Sequence, residues 1–79
     1  MIQFSKIRER GVTFVTVVVK DHVISCRSDA DELVEHYSRF FGCPAVLLGG
    51  QRHRTYGRQD LAKFVANNWR RLPWKKMAA

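Results

Sequence analysis

Two runs rich in β-branched residues stand near the start of the chain, VTFVTVVV over 12–19 and VISCR over 23–27, with Lys20, Asp21 and His22 between them. Two such runs around a polar break predict a β-hairpin. Ahead of them Ile2 and Phe4 alternate with polar neighbours and Arg10-Gly11 offers a turn, so a further strand is expected over 2–8, although Ile7 breaks the alternation. The clearest periodicity comes next: Ala30, Leu33, Val34, Tyr37, Phe40 and Phe41 fall within an arc of roughly 120° at helical spacing. Ser28 suits the N-cap of that helix, Asp29, Asp31 and Glu32 suit the positive end of its dipole, and Gly42 ahead of Cys43-Pro44 supplies the stop. Its outer face, with Asp31, Glu32, Glu35 and Arg39, is mostly acidic.

Residues 44–48 are apolar on both faces, as in a strand buried from two sides or lying centrally in a sheet. Gly49-Gly50-Gln51 then gives a turn, and 52–56 returns as a second hairpin strand with Arg52, Arg54 and Tyr56 on one face and His53 and Thr55 on the other. A final helix is expected over 58–71, its core side carrying Leu61, Phe64, Val65, Trp69 and Leu72, closed by Pro73 and followed by a frayed end over 75–79. The expected order is β-β-β-α-β-β-α. The fold class is α+β, a two-layer sandwich in which a small, mostly antiparallel sheet of four to five strands carries both helices on one face and leaves the other open.

Composition agrees with a folded chain: 46% of the 79 residues are hydrophobic and 27% charged, unlike a disordered polymer. The length suits one small domain over 1–79 and leaves no room for a deep cofactor cavity. Cys26 and Cys43 form no CxxC pair and have no histidine pair at ligand spacing, which argues against zinc and for buried thiols. His22, His36 and His53 are scattered and read as surface residues. No nucleophile, base and oxyanion donor are placed together, so no catalytic residue, metal or cofactor is assigned and the chain is read as a non-enzyme. The most apolar stretch, 12–19, contains Thr13 and Thr16 and is too short to span a bilayer, and 1–11 has no leader pattern, so the expectation is a cytoplasmic protein with no membrane partner.

Charge sharpens the picture. Residues 1–50 hold six basic residues (Lys6, Arg8, Arg10, Lys20, Arg27, Arg39) and six acidic ones (Glu9, Asp21, Asp29, Asp31, Glu32, Glu35). Residues 51–79 hold eight basic residues (Arg52, Arg54, Arg58, Lys63, Arg70, Arg71, Lys75, Lys76) against Asp60 alone, so the whole net charge of +7 lies there. On a helical wheel Lys63, Asn67 and Arg70 lie opposite Leu61, with Arg71 at the margin, as a basic stripe. A segregated patch of this kind repels itself and attracts a polyanion. Arg52, Arg54 and Tyr56 on one strand face, beside Arg58, suggest arginine forks for phosphates and a ring for a base. Trp74, beyond the helix and beside Lys75 and Lys76, either folds back over the core or anchors a partner.

The stretch CPAVLLGGQRHRTYGRQDLAKFV, residues 43–65, resembles the closing hairpin and helix of the glutaredoxin group, with a proline-led strand, a Gly-Gly turn and a Gly-x-x-Asp-Leu helix start. The likeness implies shared hairpin-helix geometry. It carries over no active-site residue, because no CxxC follows a first strand and the second strand-helix unit is missing.

The leading functional expectation is a binding protein whose C-terminal half engages nucleic acid, DNA or RNA, or a nucleic-acid-processing complex. The alternative is a small inhibitor or adaptor, of the type phages direct at host enzymes or CRISPR complexes, docking on an acidic protein surface. An unpaired sheet edge at 2–8 or 12–19 would permit a homodimer.

Overall fold

In the computed structural model, which describes residues 2–77, the strand that is apolar on both faces becomes an interior strand of the sheet. The elements are β1 (Ile2–Glu9), β2 (Val12–Val19), α1 (Asp21–Ser25), α2 (Arg27–Phe41), β3 (Ala45–Gly49), β4 (Thr55–Gly57), α3 (Gln59–Asn68), a 3-10 turn (Trp69–Arg71) and β5 (Lys75–Met77). The strands line up as β4-β3-β2-β1-β5. β1 and β2 are antiparallel, from Phe4 opposite Val17 to Glu9 opposite Val12, and are joined through Arg10 and Gly11. Both joining residues have positive φ, 51° and 80°, as the tightest hairpin turn requires.

β2 and β3 are parallel, with Val15 opposite Ala45 and Val19 opposite Gly49. Parallel neighbours cannot be joined by a tight turn, and α1 with α2 forms the crossover. Gly42 ends α2 in the left-handed conformation, φ 69°, its N–H donating to the Ser38 carbonyl. β4 returns antiparallel to β3, and α3 follows it, so the hairpin-helix geometry implied over 43–65 is present.

The α+β class and a mostly antiparallel sheet, here of five strands with one parallel pair, stand as expected, but the helices do not share a face. Phe14, Val46 and Leu48 point to one side and pack with Leu61, Val65 and Leu72 of the α3 segment. Val15, Val17, Ala45 and Leu47 point to the other and pack with Ala30, Leu33, Val34 and Tyr37 of α2. The arrangement is therefore three layers, helix, sheet, helix. The reason lies in β2 and β3 themselves: successive side chains alternate across the sheet, and an apolar set on both sides needs a cover on both sides.

Four further expectations change. Residues 21–25 form helix α1 rather than opening a strand over 23–27, because both flanks of β2 are already taken by β1 and β3. α2 starts at Arg27 after Cys26, with no side-chain cap, so Ser28 is not its N-cap. Residues 75–77 pair with β1, Ile2 opposite Met77 and Phe4 opposite Lys75, instead of fraying; 78 and 79 lie outside the described residues. β1 and β2 are interior in the strand order, so the expected edges change: β3 covers Val15–Val19 of β2 and β5 covers Ile2–Phe4 of β1, leaving residues 5–9 of β1 with β2 alone as neighbour.

Candidate functional site

Lys63, Asn67 and Arg70 follow one another at helical spacing along the side of α3 and its 3-10 extension that faces away from the sheet, and all three are exposed. At residue 69 the α-helical turn tightens to 3-10, which rotates the end of the segment. Leu72 is buried, and Trp69 packs against the core as the spacing from Val65 predicts but stays half-buried, leaving part of its indole at the surface. Ala66, Asn67, Asn68, Trp69, Arg70 and Arg71 line one shallow depression at this end of the helix. The Arg70 guanidinium carbon lies 5.1 Å from the centre of the indole of Trp69, in cation–π range.

The β3–β4 loop meets this end of the helix at Trp69. The imidazole of His53 lies flat on the indole of Trp69, 3.9 Å between ring centres and 11° between planes. His53 sits at φ 57°, in the left-handed region that a histidine enters at a cost of roughly 1 kcal/mol or more. The loop holds it there. Gly49 N–H donates to the Arg54 carbonyl (2.8 Å), His53 N–H to the Gly49 carbonyl (3.1 Å) and Gly50 N–H to the Val19 carbonyl (2.9 Å). From α1 the carboxylate of Asp21 accepts the N–H groups of Gln51 (3.3 Å) and Arg52 (3.2 Å). The glycine at 49 leaves room for that carboxylate, since a Cβ there would overlap an Asp21 carboxylate oxygen.

Trp74 folds back over the core: its indole N–H donates to the Trp69 carbonyl (2.9 Å), fixing the chain as it leaves the 3-10 turn. Lys76 is the cross-strand partner of Gln3, which shares a face of β1 with Ile7, so it stands on the α3 side of the sheet; Lys75, opposite Phe4, stands on the α2 side.

The remaining candidates are drawn elsewhere. Tyr56 packs on the α2 side and its hydroxyl donates to Asp31. That hydrogen bond, with burial and the charge of Asp31 and against Arg27, holds the phenol above its ordinary pKa of 10.0. Arg54 donates to the hydroxyl of Ser25. Arg58 is paired with Asp60 at 2.9 Å, and Arg52 is exposed on the loop that Asp21 holds. The expected single face of Arg52, Arg54 and Tyr56 is thus not formed as a phosphate fork, because β4 begins only at Thr55 and Tyr56 turns toward α2, where Asp31 takes its hydroxyl.

Among the described residues no three metal-ligating side chains cluster and no helix is long and apolar enough to cross a membrane. Both cysteines are free thiols. Cys26 is exposed rather than buried; Cys43 is half-buried, and burial, opposed by the charge of Lys6, pushes its thiol above the ordinary value.

The feature that sequence reasoning missed is the His53–Trp69 stack. Its components were assigned separately, one to the surface and one to the core, and the tightening of the last helical turn that joins them leaves no periodic signature. No family model matches the chain, and no curated protein and no solved structure is significantly similar to it.

Proposed function

We propose that the protein is a non-enzymatic nucleic-acid-binding domain that presents its α3 face to the phosphate backbone, alone or within a nucleic-acid-processing complex. The observation that carries this reading is the set of unpaired cations on the α3 face. Lys63, Arg70, Arg71 and Lys76 lie on the α3 side with no acidic partner within ion-pair distance among the described residues, while Asp29, Asp31, Glu32 and Glu35 are exposed on α2 on the other side. A polyanion is attracted to this unpaired set of cations on the α3 face. With about four or five cations engaged, log affinity should fall with log salt at a slope of about −3 to −4 on single strands.

Replacing Arg70 and Arg71 together by glutamate should lower affinity at low salt by at least tenfold and leave the thermal midpoint within a few degrees, because both side chains are exposed. Fluorescence anisotropy with labelled DNA and RNA across several salt concentrations measures both quantities; unchanged affinity removes the face assignment.

A second reading, an adaptor or inhibitor docking on an acidic protein, is favoured by one feature. A groove along the free edge of β4 is lined by Ile24, Ser25, Arg27, Thr55, Gly57 and Lys63, and it suits an extended acidic segment added as a strand. Recovery of one acidic protein that survives nuclease treatment selects this reading; recovery that nuclease abolishes rejects it.

A further inference from the structure

Resting on the nucleic-acid reading, we infer that the His53–Trp69 stack is a docking platform for an unpaired nucleobase, and that the substrate is therefore single-stranded. Three observations converge. The first is the geometry of the rings, parallel to within 11° and 3.9 Å apart, with one face of the half-buried imidazole against the indole. Among the described residues no other ring stacks on His53 and no hydrogen bond engages its ring nitrogens, so its second face and its edge are uncommitted.

The second is the energy held in the loop. A histidine at φ 57° is kept against its backbone preference by hydrogen bonds running through Gly49, Arg54 and the carboxylate of Asp21. Nothing in the packing of the core requires that conformation, since His53 is not among the buried residues. It serves to present the ring.

The third is the surroundings. Arg70 leans over the same indole at 5.1 Å, and Asn67 and Arg71 line the same depression, which supplies cations for the flanking phosphates and an amide for a base edge. A base inside a duplex has both faces covered by its neighbours and cannot add to this stack, whereas a splayed base can, whatever its identity.

The experiment compares four probes of equal length, about twelve nucleotides, by anisotropy at fixed salt: oligo-dT, oligo-rU, an abasic deoxyribose-phosphate strand and a duplex. The platform requires the base-bearing single strands to bind about tenfold more tightly than the abasic strand and the duplex, the equivalent of about 1.4 kcal/mol. The two base-bearing strands distinguish DNA from RNA as the source of the base. His53→Asn, which removes the ring and tolerates positive φ, should reduce both to the abasic level. Equal affinity for base-bearing and abasic strands, or a duplex preference, with the salt slope still present, overturns the platform and leaves the basic-face reading standing. A base preference that persists in His53→Asn overturns the assignment to this stack. Absence of salt-dependent binding to all four probes overturns the nucleic-acid reading and the platform together. If His53→Asn fails to fold, the comparison of base-bearing with abasic strands on the unaltered chain decides.

Discussion

Ser5 and Thr16 face each other across β1 and β2, are completely buried, and neither hydroxyl has a hydrogen-bond partner. They lie on the α3 side, in line with Ile7 and Phe14. A buried hydroxyl without a partner costs about 1–3 kcal/mol of desolvation that nothing returns. Thr16→Val keeps the shape and removes the hydroxyl, so it should stabilise the fold by about 1 kcal/mol and raise the melting temperature by about 4–8 °C. A thermal melt followed by circular dichroism measures this, and a lower midpoint would mean that the hydroxyl has a partner in solution. Residue by residue, the sequence discloses which side chains are apolar and which are charged, but not which polar ones are left without partners. Thr16 reads as an ordinary break in VTFVTVVV, and only the register of β1 against β2 brings Ser5 to it.

At the scale of elements, the β3–β4 loop depends on one contact. Asp21 reaches from α1 to the N–H groups of Gln51 and Arg52, and the absence of a side chain at Gly49 leaves room for its carboxylate. Gly49→Ala should displace Asp21, release both N–H groups and destabilise the chain by about 1–3 kcal/mol, through the loss of hydrogen bonds to a charged acceptor. Loosening of the His53–Trp69 stack would accompany it, read as a shift in tryptophan emission; an unchanged melt and spectrum would show that the loop holds itself. The elements with a sustained period were legible: α2 from Ala30 to Phe41, β3 from its two apolar faces, and the helix after Gly57. Val23 and Ile24 were not. Two adjacent β-branched residues carry no period, and the choice between strand and helix fell to the crossover that the parallel β2–β3 pair demands. The basic stripe of Lys63, Asn67 and Arg70 was legible for the same reason as α2. The fork of Arg52, Arg54 and Tyr56 was not, because its reading depended on where β4 begins, and a shift in that boundary changes which side chains the sheet controls.

For the whole molecule, the decisive fact is that α2 and α3 cover opposite faces of one sheet. With both helices on one face the carboxylates of α2 and the basic stripe of α3 would lie side by side; the sheet between them sets the two helices apart, within extents of 30 × 24 × 21 Å. Those dimensions exceed two Debye lengths at physiological salt, so the carboxylates of α2 do little to weaken the attraction of the α3 cations for a bound polymer. The hint was present in β2 and β3, whose apolar residues outnumber what one helix layer can cover.

The pairing of Ile2 with Met77 has its own consequence. Neighbouring antiparallel strands put these residues about 5 Å apart, so a loop of about two to five residues can join them as a hairpin. Opening the ring between Arg10 and Gly11 then gives a circular permutant that reads β2-α1-α2-β3-β4-α3-β5-β1, with every lateral contact of the sheet retained. Such a chain should melt cooperatively and keep the salt dependence of the unpermuted protein. Loss of cooperative folding would show that the β1–β2 turn nucleates the sheet rather than merely connecting it.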